Sequence, residues 1–328
     1  MDSGQNSLND LTNLNSQKNS QAQTDELIAY VNEQIELLAF DEPDPQLLRQ
    51  MIQGLSDPRR AVRLSLINAF SEIGEPATPF LLEGLATHPD PIVRRACCNA
   101  MTNLGDETAV SGLVMALAQD QEMSVKSAAA GALAKIGAPA FESVREILAS
   151  TSADESAKGH AAWAIATMSA EVREQLYQSR SDPSPSVRVA VVGAIAQLAQ
   201  AQLAQAQLAQ TQLAQAQCDL SNQLGEDQHA EDQPSEDNLR FLLKALQDPA
   251  PDVRIEAIAH LARLNYQPAY QSLLACLQDA EADVRRAAIL ALGKLSRRNT
   301  IDAIAPLQQD LNPAVQRVAA LVIKQLQA

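Results

Sequence analysis

Along most of this chain the apolar residues fall three, four and seven positions after a basic one. Lys126 is followed in this way by Ala129, Ala130 and Leu133, and Arg285 by Ala288, Ile289 and Leu292. That spacing is one face of an α-helix. The basic residue itself recurs: Val62-Arg63, Val93-Arg94, Val187-Arg188, Val253-Arg254 and Val284-Arg285, with related pairs at Val125-Lys126, Ala157-Lys158 and Val315-Gln316. The second residues of these pairs lie 31, 32, 32, 30, 66, 31 and 31 apart. The interval of 66 is two periods with an insertion inside, so the chain carries eight units.

Each unit has the same grammar. Asp57, Asp120, Asp182, Asp248, Asp279 and Asp310 stand six residues before the basic position, and three of them precede a proline (Pro58, Pro183, Pro249). Asp-Pro ends one helix and is expected to start the next, with Pro in its first turn. Eleven residues after the basic position stands Gly74, Gly105 or Gly137, which takes a left-handed C′ conformation at low cost. Ser169, Asn265 and Ser296 hold the same place in other units. A shorter helix follows, predicted over Pro79–Ala86, Ala109–Ala118, Asn238–Gln247 and Tyr270–Gln278. Two helices per 31 residues make an all-α chain, an α-solenoid whose units cannot bury their apolar faces alone and stack into a continuous core. The aromatic signature of tetratricopeptide arrays is missing, and armadillo units need about forty residues. Eight to nine short HEAT-like repeats fit the period.

Three segments depart from the array. Residues 1–24 are mostly Gln, Asn and Ser and are expected to be a disordered tail. Residues 25–56 supply an atypical first pair, read as a cap. The insertion opens as a Gln/Ala/Leu pentad carrying Leu203, Leu208 and Leu213. Five residues turn a helix by about 500°, so these leucines form no stripe, and the pentad is expected to carry the fifth unit's helix into solvent. It gives way to Gly225–Pro234, read as a flexible acidic linker. The expected domains are the tail 1–24, a cap and repeats at 25–200, the insert and linker at 201–237, and further repeats at 238–328.

Composition narrows the function. Aromatics are 3% of the residues and glycines number 12, against a turn-rich β fold. With 25 Lys+Arg against 40 Asp+Glu the net charge is −15, which argues against nucleic acid and anionic membrane as partners. Cys97, Cys98, Cys218 and Cys276 form no disulfide framework in a chain of this length, so a reducing compartment is expected. No run of 18 apolar residues and no basic-then-apolar start is present, so the expectation is a cytoplasmic protein without a transmembrane segment.

The repeated Val-Arg-x-x-Ala…Ala-Leu-Gly-Lys-Leu/Ile signature is carried by Val284-Arg285-Arg286-Ala287-Ala288, by Ala291-Leu292-Gly293-Lys294-Leu295 and by Ala132-Leu133-Ala134-Lys135-Ile136-Gly137. With Lys158-Gly159-His160-Ala161-Ala162-Trp163-Ala164-Ile165 and Val187–Ile195, it resembles the HEAT-like repeats of the cyanobacterial phycobilisome lyase family. The resemblance covers about 45–328 apart from the insert. It implies a phycobiliprotein or phycobilisome partner, a possible second lyase-like subunit, and phycocyanobilin or a related tetrapyrrole as ligand, with no cofactor required. It also implies a place at the phycobilisome or thylakoid surface. Members attach or remove bilins, act in phycobilisome degradation, or contact an iron–sulfur assembly protein. The paired tryptophans that open the two-subunit lyases are replaced here by Leu66-Ile67-Asn68 and Cys97-Cys98-Asn99, which favours the degradation branch. Attachment of the bilin and a non-catalytic scaffold are the alternatives.

No phosphate loop, Cys-x-x-Cys or nucleophile elbow is present. Metal-binding HEAT hydroxylases need His-Glu pairs, whereas His88, His160, His229 and His260 are followed by Pro, Ala, Ala and Leu, so no metal is expected. Cys97-Cys98 fall on the apolar positions and read as core or, alternatively, as a functional thiol pair. Trp163, the only tryptophan, stands five residues after the basic position, where other units have Asn68, Asn99, Gly131, Gly193 and Ala259. Trp163 and His160 are candidates for stacking on a tetrapyrrole or anchoring a partner, against the alternative of a Trp filling a gap. Arg94 and Arg188 are candidates for holding a propionate, against the alternative that the Arg/Lys ladder pairs with the aspartates of its own or adjacent units.

Overall fold

The computed structural model describes residues 21–36, 43–220, 234–295 and 299–327. The expected disorder of residues 1–20, residues 225–233 of the expected acidic linker and the predicted helix stop at Ser296 fall outside them, while Pro234, read as the linker's end, is helical. Among the described residues all regular structure is helical, and the fold is an α-solenoid of paired helices. Residues 21–24, read from the sequence as part of the tail, belong to a helix over 21–36 (α1).

Eight pairs follow α1. Their first helices are α2 (Pro45–Gly54), α4 (Thr78–Thr87), α6 (Val110–Gln119), α8 (Ala138–Ala149), α10 (Arg173–Gln178), α12 (Pro234–Ala245), α14 (Tyr270–Ala275) and α16 (Thr300–Ile304). The second helices, which carry the Val-Arg repeat, are α3 (Arg60–Ile73), α5 (Pro91–Leu104), α7 (Met123–Ile136), α9 (Glu155–Thr167), α11 (Pro185–Leu220), α13 (Pro251–Arg263), α15 (Ala282–Leu295) and α17 (Pro313–Gln327). The pairs divide into two compact units, Met1–Ala164 and Ile165–Ala328.

In the first unit α2, α4, α6 and α8 pack in series, and α3, α5 and α7 pack in a second series. The apolar triad of each second helix is what they bury. Leu66, Ile67 and Phe70, Cys97, Cys98 and Met101, and Ala129, Ala130 and Leu133 are all core residues. In the second unit α11, α13, α15 and α17 pack in series around Val191, Val192 and Ile195, Ala257, Ile258 and Leu261, and Ala288, Ile289 and Leu292. Each large member of such a triad contributes about 1.5–3 kcal/mol by leaving water.

The helix stops need glycine for a stated reason. Gly74 (φ 83°, ψ −154°) and Gly137 (φ 76°, ψ −127°) occupy a region closed to residues with a Cβ, and Gly105 is left-handed at φ 66°. Asn265 fills the same place at φ 51°, while Ser169 keeps a negative φ. The prolines behave differently from expectation. Pro58, Pro183 and Pro249 lie in the turn before the helix, and the first-turn prolines are Pro91, Pro185, Pro251 and Pro313. The turn exists because the preceding Asp side chain accepts the amide two residues on: Asp57 from Arg59, Asp182 from Ser184, Asp248 from Ala250.

The pentad continues the fifth unit's helix, as expected. α11 runs 36 residues, about 54 Å, with Leu203 half-buried and Leu208 exposed. Over Pro185–Thr211 it has the length and apolar composition to cross a membrane, which the residue-run reading missed. Half of that window is buried inside the fold, as in the core helix of a water-soluble domain. The pentad is also tied in at its start. Gln202 accepts a bond at 3.1 Å from Asn238, which is fully buried, and Asn238 accepts the Tyr177 hydroxyl at 2.8 Å.

Candidate functional site

The ladder of basic residues has one repeated geometry. Arg94 donates through Nε and Nη2 to the two carboxylate oxygens of Asp120 in the next unit, at 2.8 and 2.9 Å, and through Nη1 to the carbonyls of His88 and Pro89 behind it. Arg188 does the same with Asp248 (2.9 and 2.8 Å) and the carbonyls of Asp182 and Pro183. Arg254 with Asp279 and Arg285 with Asp310 repeat it. The six-residue spacing is thus the reach of the basic side chain to the carbonyl that closes the preceding turn. Gln316 keeps that bond to the Asp310 carbonyl without a charge. The acid belongs to the unit after the arginine's: it accepts the amide two residues on, in the turn before its own second helix, and receives the preceding unit's arginine.

Lys126 bonds Asp154 at 2.6 Å, an acid two residues off the expected register, because Asp154 is the residue whose side chain caps α9 at the Ala157 amide. Burial raises the Asp120 carboxyl, but Arg94, the Glu122 amide and Lys126 together outweigh it and hold it below its ordinary value. Asp248 and Asp279 are lowered by the same balance, and Asp310 chiefly by Arg285.

Arg94 and Arg188, candidates for holding a propionate, therefore have the bidentate edge of their guanidinium occupied by aspartate. Arg95, one residue after Arg94, is the cation that the sequence reading passed over. It is exposed and lines two clefts between successive second helices. One cleft, of about 480 Å³, runs between α3 and α5 past Leu64, Ile67, Ile92 and Asn99. The other, of about 440 Å³, runs between α5 and α7 past Asn99, Thr102, Ser127 and Gly131. Both are lined by the positions one and five after the basic residue, and that register could have pointed to Arg95.

Trp163 holds the fifth position on α9 and is 52% exposed. In the second unit the same position carries Leu290 and Leu321, 50% and 53% exposed. A half-exposed indole is not a gap-filler of the core. His160, half-buried one turn earlier, meets the Ser156 carbonyl oxygen at 2.7 Å through Nδ1. A carbonyl only accepts, so Nδ1 carries a proton, and Nε2 is the acceptor of the neutral ring. Cys97 and Cys98 are fully buried; burial pushes the Cys97 thiol up to about 12 and Cys98 higher still. Neither is a thiolate at neutral pH. Among the described residues no three His, Cys, Asp or Glu side chains converge in a group able to hold a metal ion.

The HEAT-repeat family model matches residues 78–166 and 239–327, together more than half of the chain. The chain belongs to the HEAT-repeat family. A bilin biosynthesis protein, MpeU, of Synechococcus sp. is 26% identical over 197 residues, 58% of this chain and 66% of the relative. A phycocyanin operon protein Z of Pseudanabaena tenuis, itself uncharacterized, is 30% identical over 83 residues, 24% of this chain and 41% of the relative. The matches thus span less than two thirds of either relative's length. Among solved structures, the complex of CpcE and CpcF of phycocyanin lyase from Nostoc sp. aligns over 87% of this chain and 95% of the other, at 17% identity and a TM-score of 0.30.

Proposed function

We propose that this HEAT-repeat protein engages a phycobiliprotein and its bilin, using the one-and-five face of the second helices in the first unit. The observation that carries the reading is the similarity over 197 residues to a protein named for bilin biosynthesis. Trp163 offers an exposed aromatic face on which a tetrapyrrole ring can stack, His160 stands one turn away, and Arg95 is a cation open to a propionate. Buried and protonated, Cys97, Cys98 and Cys276 are poor candidates for a bilin carrier, so the thioether chemistry is assigned to the acceptor cysteine of the phycobiliprotein. The role is to hold bilin and acceptor together or apart. A relative named for bilin biosynthesis fits attachment better than pigment detachment in phycobilisome degradation, and protein partners, including a second lyase-like subunit, fit the same face. The cytoplasmic side of the phycobilisome is the compartment this role requires.

The test is incubation of the purified chain with apo-phycocyanin plus phycocyanobilin and, separately, with chromophorylated phycocyanin. Covalent pigment is followed by absorbance and by fluorescence on denaturing gels. Gain of bound bilin in the first arm identifies attachment, and loss in the second identifies detachment. Either should fall with Trp163→Ala, His160→Ala or Arg95→Gln. No change in either arm, with no pigment binding, rejects the proposal and leaves a protein-binding scaffold.

A further inference from the structure

The second unit contains a cavity of about 910 Å³ between the end of α10, the start of α11 and α12. Its walls are the rings of Tyr177 and Phe241, the apolar side chains of Val192 and Val253, and the prolines Pro183 and Pro249. Arg180 lines it too, its guanidinium over both rings, 3.9 Å from the Tyr177 centroid and 4.9 Å from that of Phe241. Its Nε and Nη2 atoms are buried and, among the described residues, have no hydrogen-bond acceptor. A guanidinium cannot shed its charge, and a buried donor without an acceptor forfeits the bond it had in water.

Four other arginines of this chain show what that edge takes. In Arg94, Arg188, Arg254 and Arg285, Nε and Nη2 both donate to one carboxylate, side-on, at 2.7–2.9 Å. In Arg180 the same pair of donors is empty. The acids that line the cavity leave it so. Asp248 is taken by Arg188, Asp182 caps the Ser184 amide, and Asp237 makes no bond to Arg180. Arg240 is paired with Glu236 of its own helix, while Lys244 adds a further cation at the rim. The lining thus holds four cations, Arg180, Arg188, Arg240 and Lys244, against three acids, Asp182, Asp237 and Asp248.

We infer that the Arg180 cavity is a binding site for a small carboxylic acid with a flat, apolar body, its carboxylate on the Nε–Nη2 edge and its body along Tyr177 and Phe241. The volume is that of an ordinary small-molecule site. Bidentate pairing selects a planar carboxylate, and the ring faces select a planar body. The site lies wholly in the second unit and does not depend on the bilin reading of the first.

The experiment is fluorescence titration of the full-length chain with 1-pyrenebutyrate and, in parallel, its methyl ester. The acid is expected to bind saturably at one site, with the ester weaker by about tenfold or more because it leaves Arg180 unpaired. Arg180→Gln should reproduce the ester's loss, and Arg180→Lys, which keeps the charge but not the fork, should recover only part. Trp163→Ala should bind the acid as the parent does. Displacement by benzoate and not by benzamide gives the same answer without a variant, should Arg180→Gln fail to fold. Equal binding of acid and ester, full binding by a folded Arg180→Gln, absence of saturable binding, or displacement by inorganic phosphate in preference to benzoate would each overturn the assignment.

Discussion

Arg94 and Asp120 are joined across 26 residues by two parallel bonds, Nε to Oδ2 at 2.8 Å and Nη2 to Oδ1 at 2.9 Å. The two side chains are 15% and 7% exposed, which removes the pair from the class of surface ion pairs that contribute little. Arg94→Gln and Asp120→Asn should each lower stability by about 2–3 kcal/mol, since each strands a largely buried partner. The double variant should cost less than the sum of the two. Urea midpoints for the four proteins measure this, and strict additivity would show that the pair does not couple the units.

The lowered carboxyls of Asp120, Asp248, Asp279 and Asp310 fix the sign of the acid response. Between its folded and unfolded values each binds fewer protons in the folded chain, so stability there rises with pH. Their contribution is complete above roughly pH 4, the ordinary carboxylate value, and is lost as pH falls through the folded values. Denaturation midpoints collected down the acid range should drop steeply, and Asp279→Asn with Asp310→Asn should flatten the drop. An unchanged slope in that variant would contradict the ladder's role.

Cys97 and Cys98 should be chemically silent while the chain is folded. Burial pushes Cys97 up to about 12 and Cys276 to about 11, so almost none of either is thiolate at neutral pH. In a Cys218→Ser background a disulfide reagent should give no fast phase, and denaturant should release all the remaining thiols. A fast-reacting thiol in the folded variant would reopen thiol chemistry.

Two glycines on or beside the same helix should respond in opposite directions to alanine. Gly137, at φ 76° and ψ −127°, closes α7 in a conformation alanine avoids, and Gly137→Ala should cost about 1–3 kcal/mol. Gly131 lies within α7, and a Cβ there meets nothing within 4 Å, so Gly131→Ala should stabilise by about 0.5–1 kcal/mol. Thermal melts of the two variants decide it.

The repeat was legible because a solenoid is built from local, periodic constraints. A triad such as Ala129, Ala130 and Leu133 must sit on one helical face to bury itself, and a left-handed stop must be Gly or Asn, so both leave marks at fixed spacing in the chain. The exposure of Trp163 and the packing of Cys97 and Cys98 followed from the same register. The prolines were misplaced by two residues because the Asp side chain inserts a capped turn ahead of the helix, and composition does not count turn residues.

What the sequence determined by itself was therefore the helix pairs, their eightfold repetition and the net charge of −15. Each is set by residues within one period of one another. Only tertiary structure decided which cations were spent. Arg94 and Arg188 face aspartates 26 and 60 residues away, whereas Arg95 lines two clefts and Arg180 keeps its Nε and Nη2 unpaired among the described residues. Residue type is the same for all four, but only Arg94 and Arg188 stand in the Val-Arg register. The Arg and Asp positions of the ladder recur in the chain, but which of them meet is decided by the helix that the packing brings alongside: the partner lies 25 or 26 residues on, or 60 across the insert.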